Sequence, residues 1–576
     1  MNYLVYDIDD AAFGMLSSGR MAVGTINYVI CSIGDRKKSK ILQRGFTLAY
    51  INFHLCPGLY FKYELDALPF VEKIYDRFQI KYPWFQKLYD AASGSVAMSL
   101  KKALHAMTSR TCKLFQFASY LEASGAGKPV LLLHDYFEFC KDIYPYPALG
   151  IKGKPSERIR MHLFFTYLVL ISVFRSGKVA GVVKNKCGML FDQTFVSGPL
   201  QFEIEVFYNQ LKKRDDILYL CHNRKNVFYE MLVRDGKNTL YHRPGVKGVA
   251  GKITVLKQLV LFYVRALTSR MDERLVFELF KIKYKEIFYT SLFGGLRPKA
   301  FLKIRADMDP CHPIATWAVH RHGGLNIGYM HGSYLPYEAV FALIDFDVYG
   351  LLGTGFQTDV YRGCWPTGMK YLLLGPISNE APGMPCKQKK FQAAVFTTST
   401  SDDLWMQDSF LYEFIDACFY SLQDQKQTVF MRTKGVYPEH VRVIEEASMK
   451  YGLPWTAELQ EGVECSVSNT PIDVVLDVCE IAIIMDISSC AWNALAMKKK
   501  FVVYAHPASE HVFEKEVPFV VVRNKNELRQ RINALSEMTD EDFAKLILPL
   551  IGKCGIYDTG SRIADFVQRS LKEDWT

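Results

Sequence analysis

From residue 391 onward, short apolar runs alternate with longer segments whose apolar residues recur three and four apart. The runs at 392–397, 427–432, 480–485, 501–505 and 518–522 read as strands, with a brief one at 454–457. The segments at 407–422, 438–451, 471–478, 488–497 and 525–535 read as helices. Strands without polar alternation, separated by helices, predict a parallel, doubly wound sheet buried on both faces. Such sheets hold ligands at the carboxyl ends of their strands. Thr397-Thr398-Ser399, Arg432-Thr433-Lys434, Asp486-Ile487-Ser488-Ser489 and Ala505-His506-Pro507 fall at those ends.

The earlier part of the chain is less regular. Strand patterns occur at 128–134, 178–183, 216–220, 300–305, 325–330, 347–353 and 370–374, helical spacing covers 250–290, and 313–321 is a further helix. This predicts one α/β domain with helical insertions over 1–380, a Pro/Lys-rich linker at 381–390, a second α/β domain at 391–560, and a closing helix at 561–576 that crosses back onto the first. The longest apolar stretch, 162–174, is shorter than the roughly 20 residues of a spanning helix and predicts a buried helix or strand.

Composition narrows the partners. The chain has 576 residues, 49% hydrophobic and 14% aromatic, enough for two or three domains with substantial cores. The formal charge of +10 suits phosphorylated substrates or an anionic lipid surface. Its basic residues are scattered, without an arginine-rich arm or finger motif, which argues against nucleic acid. The 14 cysteines form no C-x-x-C pair, no N-glycosylation acceptor is present and no secretory leader opens the chain, so the expectation is a cytoplasmic protein, at most peripheral to an inner membrane.

Two segments carry the candidate chemistry. Ser488 and Ser489 stand where a strand meets a helix, and a helix start offers free N–H groups and a dipole to an anion. A plain N-cap accounts for serine there equally well. His331, Gly332 and Ser333 follow another strand, where glycine admits close approach of a ligand; a packed turn histidine is the bland alternative. Arg432 and Lys434 are a fork and a point charge for phosphate, or a solvated loop, and Thr398 lies at a neighbouring strand end. Arg305, followed by Asp307, could hold an anionic donor or acceptor. A base for an acceptor hydroxyl could come from Asp7, Asp9, Asp10, His134 or Asp135, although aspartates also form ordinary turns. Gly125-Ala126-Gly127-Lys128-Pro129 is no phosphate loop, because Ser/Thr is missing after the lysine and a strand follows. Gly353-Thr354-Gly355 is too short for a dinucleotide fingerprint.

The succession Gly328-Tyr329-Met330-His331-Gly332-Ser333-Tyr334, Asp347-Val348-Tyr349-Gly350 and Leu374-Gly375-Pro376 resembles the domain junction of GT-B bacterial surface-polysaccharide glycosyltransferases, the capsule-synthesis, Kdo- and polysialyltransferase group. Ser488-Ser489 before Ala491-Trp492-Asn493-Ala494 resembles their nucleotide-phosphate motif. The resemblance covers about 295–510 and departs from the group at Met431-Arg432-Thr433-Lys434, where a His-Pro pair is common. It implies two Rossmann-like domains facing a cleft and a metal-independent enzyme without a cofactor. Its donor would be a CMP-, CDP- or UDP-linked sugar and its acceptor a glycan or glycolipid. Ser488, Ser489, Arg432, Lys434, Gly332, Ser333 and Thr398 would then surround the donor phosphates, with His134, Asp135 and His331 as catalytic candidates. A nucleotide-sugar epimerase, a polyol-phosphate polymerase or a non-catalytic scaffold could use the same architecture; the chain is long for an epimerase.

Overall fold

The computed structural model describes residues 1–51, 63–88, 93–134, 136–151, 155–174, 178–181, 189–192, 207–209, 211, 213–221, 227–237, 239–243, 246, 248–303, 306, 309–330, 339–351, 361, 363–374, 391–398, 408–425, 427–433, 438–457, 472–486, 488–507, 511–554 and 562–572. The chain is α/β, built on three sheets.

The first sheet holds β1 (Asn2–Asp7), β2 (Thr25–Ile30), β3 (Thr47–Tyr50), β4 (Val130–Leu133) and β5 (Ala148–Gly150) in the order β3-β2-β1-β4-β5. Every pairing in it is parallel. The second holds β6 (Lys178–Gly181), β7 (Met189–Asp192), β8 (Ile217–Leu220), β9 (Thr239–Arg243), β10 (Ala300–Lys303), β11 (Leu325–Tyr329), β12 (Val348–Leu351) and β13 (Lys370–Leu373). Its order is β13-β12-β11-β10-β7-β8-β9-β6, with only the β6–β9 pair antiparallel. The third holds β14 (Phe391–Phe396), β15 (Val429–Arg432), β16 (Trp455–Thr456), β17 (Cys479–Met485), β18 (Lys500–Tyr504) and β19 (Val521–Val522), ordered β16-β15-β14-β17-β18-β19 and parallel throughout.

The sheets wind outward in both directions from a central pair, β1 and β4, β7 and β10, β14 and β17, with β6 added antiparallel at the edge of the second beside β9. The third has the six-strand order of a dinucleotide-binding fold. Residues 1–380, read from the sequence as one domain, thus contain two sheets. Of the first sheet, the run at 128–134 read as a strand is β4; β1 is obscured in the pattern by Asp7, Asp9 and Asp10, and β5 has three residues.

Helices join the layers. α1 (Tyr63–Lys81) packs on α2 (Ser93–Ala123), and α2 also touches β1. α3 (Pro155–Phe174), α4 (Val249–Thr268) and α5 (Glu273–Leu296) form a bundle. α6 (His312–His320) packs on α2, α5 and β11. Asp272 caps α5, accepting from Arg274 N at 3.0 Å, while the Arg274 guanidinium donates to the His134 carbonyl. In the third unit α7 (Asp408–Leu422), α8 (Ile472–Val478) and α9 (Ser489–Ala496) flank the sheet. The closing helix α10 (Arg562–Lys572) leaves that unit and places Ile563, Phe566 and Val567 in the core of the second sheet, beside Phe191, Ile327 and Val348.

Burial follows the strand pattern. β17 and β18 are almost wholly buried, as expected of parallel strands covered on both faces. On β11 a Cβ at Gly328 would lie 2.5 Å from carbons of the Phe346 ring, so packing requires glycine there. The stretch 162–174 departs from its predicted burial. It lies within α3, yet Leu163, Leu170 and Phe174 are exposed, because they lie off the faces that α3 packs against α4 and α5.

Candidate functional site

The carboxyl edge of the third sheet is level across its centre. Phe396 pairs with both Arg432 and Ile484, and Met485 pairs with Tyr504. The chain therefore leaves β14, β15, β17 and β18 at one height, bringing Thr397-Thr398, Arg432-Thr433, Asp486–Ser488 and His506 to one edge at the switch point between β14 and β17.

Asp486 builds the turn there. Its φ of +31° is a left-handed value, uncommon for non-glycine residues although aspartate tolerates it better than most, and its side chain is fully buried. Its amide donates to Tyr504 O at 2.9 Å, its carbonyl accepts from Ser488 N at 3.0 Å and Oδ2 accepts from His506 N at 2.7 Å. These bonds hold a strained residue in place, a feature that concentrates at binding and catalytic sites.

Ser488 then caps α9, with Oγ accepting from Cys490 N at 3.3 Å. The side chain is buried and used by its own helix. Its role in this geometry is to form the helix end, leaving the α9 terminus itself as the anion-facing element. Arg432, half-buried, reaches the same terminus, its Nη1 lying 4.0 Å from Cys490 Sγ in the first turn. A guanidinium against the positive end of a helix is electrostatically unfavourable unless an anion lies between or beside them.

Asp473, in the first turn of α8, is the carboxylate on which the Arg432 charge acts; burial raises its pKa and Arg432 opposes that rise. Its Oδ1 is buried and has no hydrogen-bond partner among the described residues. The sequence reading missed Asp473, because a lone aspartate in a helical segment carries no signal until the fold brings it to Arg432. Thr398 and Thr433 are buried at the same edge.

His511 supports the turn from behind. Its ring hydrogen-bonds the Asp486 backbone and its Nδ1 accepts from Phe513 N at 3.3 Å, so the neutral form is required. Burial, reinforced by the Arg523 charge, pushes its pKa down to about 3. With the folded value below the unfolded one of about 6.5, the unfolded chain binds the extra proton, and stability is lost as pH falls from about 6.5 towards 3. The slope from this group should reach about 1.4 kcal/mol per pH unit. Denaturant midpoints taken across that range should fall steeply for the wild type and more gently for His511→Asn.

His134 occupies the corresponding place on the first sheet, just after β4. Its Nε2 lies 3.7 Å from Asp9 Oδ1, and Asp9 also accepts from Ala11 N and Ala12 N as a helix cap. Asp7 is held by Ser32, whose Oγ donates to it at 2.8 Å. The described geometry thus groups Thr398, Arg432 and Ser488 on the third sheet and sets His134 with Asp9 on the first. Asp135, Arg305, Asp307, His331, Gly332, Ser333 and Lys434, with the linker 381–390 and the side chain of Ser489, lie outside the described residues.

The switch point of the second sheet holds a set of charges absent from the sequence-level candidates. Lys303 Nζ donates to Asp309 Oδ2 at 2.5 Å, and Lys285 approaches the same oxygen at 3.3 Å. Lys303 pairs in register with Asp192, the last residue of β7. Burial alone would raise the Asp309 pKa, but the two ammonium groups hold it well below the usual range. A lysine inside the run Ala-Phe-Leu-Lys-Ile was the available clue.

No protein-family model and no curated protein sequence matches the chain. Among solved structures it is similar to a glycosyltransferase from Rickettsia africae, at 11% identity and a TM-score of 0.39 over 68% of this chain and 100% of that one. It is also similar to the UDP-GlcNAc 2-epimerase from Neisseria meningitidis bound to UDP-GlcNAc (11%, 0.40, 67% and 99%) and to MurG from Acinetobacter baumannii (10%, 0.37, 67% and 99%). At this distance the fold class rests on the strand orders of the chain itself: α/β, with doubly wound parallel sheets.

Proposed function

We propose that the protein is a GT-B glycosyltransferase that moves a sugar from a nucleotide-activated donor to a glycan or glycolipid acceptor in surface-polysaccharide synthesis. The observation that carries this reading is the Arg432 guanidinium beside the first turn of α9, at the switch point of a six-stranded Rossmann-type sheet. A donor phosphate placed there would accept from N–H groups of the helix end and from the arginine. Asp473 Oδ1 would accept from a hydroxyl of the nucleotide's ribose, and Thr398 and Thr433 offer further hydroxyls. The second and third sheets form the GT-B pair, with α10 crossing back between them, and the first sheet precedes that pair.

In this reading transfer leaves negative charge on the departing nucleotide, and fixed donors aimed at that charge lower the barrier. His331, Gly332, Ser333, Lys434, Ser489 and Arg305 are proposed to complete the donor site. His134 and Asp135 are the candidates for activating the acceptor hydroxyl.

The test is a thermal-shift panel of CMP, CDP, UDP and GDP, followed by product analysis with a labelled sugar donor. A nucleotide at a hundredfold its Kd stabilises a folded protein by about 2.7 kcal/mol, so at least one should raise the melting temperature and label should pass to a glycan acceptor. No shift with any nucleotide would overturn the donor site, and isomerised sugar without transfer would make the protein an epimerase.

A further inference from the structure

α3 and α4 run antiparallel. Lys252 Nζ near the start of α4 donates to Val173 O near the end of α3, at 3.1 Å, and Tyr263 OH meets His162 Nδ1 towards the opposite ends. Both helices rest on α5 and share Phe280, whose ring lies 5.5 Å from Phe165 of α3 and 5.0 Å from Phe262 of α4, while Phe164 of α3 also meets Phe277 at 5.3 Å. The faces turned away from α5 carry unusual surface. On α3, Ile159, Leu163, Leu170 and Phe174 are exposed at helical spacing, Phe174 by 76%. On α4, Val249, Ile253, Val260, Val264 and Leu267 do the same, Ile253 by 61%. Two adjacent apolar stripes, one from 159 to 174 and one from 249 to 267, exceed what a solvated surface ordinarily carries.

The charge on this pair is predominantly positive. The charged residues of α4 are Lys252, Lys257 and Arg265, with Arg270 just beyond it. From 159 to 174 the charged residue is Arg160, and Glu157 at the start of α3 is the single carboxylate of the two helices. Lys257 is exposed in line with Ile253 and Val260, where its stem can lie along the apolar surface while its ammonium reaches outward. Apolar stripes edged by lysine and arginine match the two layers of an anionic leaflet, acyl chains below and phosphates above. No helix among the described residues is long and apolar enough to cross a membrane, and this geometry needs none to do so.

We propose that the outer face of the α3–α4 pair docks in the plane of a bilayer leaflet containing anionic phospholipid. The charge pattern selects lipid over a second copy of the chain, since two such faces would set like charges together. The inference concerns a surface apart from the nucleotide edge and stands or falls separately from the proposed transferase activity.

The test is flotation of the full chain with phosphatidylcholine vesicles, with and without 30% phosphatidylglycerol. Leu163→Glu/Ile253→Glu alters exposed positions only, and circular dichroism and melting temperature verify its fold. Wild type should float with the anionic vesicles and be released by 0.5 M NaCl, while the double variant should lose at least tenfold in partitioning. Lys257→Glu should lose several-fold on anionic vesicles alone. Wild type that ignores anionic vesicles, or a folded double variant that binds them undiminished, would overturn the proposal. So would a dimer in solution abolished by the same substitutions without vesicle binding.

Discussion

Asp309→Ala should destabilise the protein by about 3–5 kcal/mol, the usual cost of stripping one partner from a buried ion pair. Lys303 is 1% exposed and Asp309 is its 2.5 Å partner, with Lys285 on the same carboxylate. Removing the carboxylate leaves two ammonium groups facing each other, with Asp192 as the remaining nearby counter-charge. It also removes the acceptor for Cys311 N, bonded at 2.9 Å where α6 begins. Urea midpoints of the wild type, Asp309→Ala, Lys303→Met and the double variant would measure the coupling. The double variant should recover part of the loss, because the fully buried ammonium leaves with its carboxylate while Lys285, 24% exposed, and Asp192 remain. A single-variant cost below about 1 kcal/mol would mean that water or another anion already serves Lys303.

Arg432→Ala should weaken nucleotide binding by about 10- to 100-fold, the equivalent of one charge-assisted hydrogen bond to phosphate worth about 1.5–3 kcal/mol. Its side chain is half-buried at the end of β15, so the fold should tolerate the change. Isothermal titration with the nucleotide that gives the largest thermal shift would read the effect. Arg432→Lys should recover only part of it, because a point charge cannot reproduce the fork. Unchanged affinity in Arg432→Ala would remove the phosphate from this edge. Ser488→Ala is the contrasting control. It should reduce stability by about 1 kcal/mol through the lost cap and leave affinity nearly unchanged, since Oγ is committed to Cys490 N.

The third sheet was legible in the sequence because parallel strands covered on both faces leave unbroken apolar runs. The segment read as helix at 438–451 is the helix Pro438–Tyr451, and the runs at 392–397 and 480–485 lie on β14 and β17. The segment at 518–522 became a one-turn 3₁₀ helix followed by the two-residue strand Val521–Val522, too brief for periodicity to separate. β5, with three residues, was too short to register. β1 was obscured by the aspartates that follow it, which drew attention as carboxylates and serve partly as a helix cap. For the site, strand ends pointed to Arg432, Thr398 and Ser488, since topology alone places such residues at an edge. Asp473 and Asp309 could not be found that way, as each acquires its role from a neighbour distant in sequence. The outward face of α3 was hidden for the opposite reason: hydropathy records how apolar a helix is, and neighbours decide which side is covered.

The seating of α10 has a consequence for how the protein is made. Phe566 approaches Gly350 closely enough that a Cβ there would lie 3.2 Å from its ring, and Ile563 and Val567 complete the same layer. The ribosome must therefore add some 200 further residues after β13 before the second sheet receives its last covering element. Until then the part of that layer that Ile563, Phe566 and Val567 fill stays open, while the unit of 391–554 emerges and can fold ahead of it. A chain cut short before residue 562 would retain every described strand and yet leave the core of the second sheet unfinished.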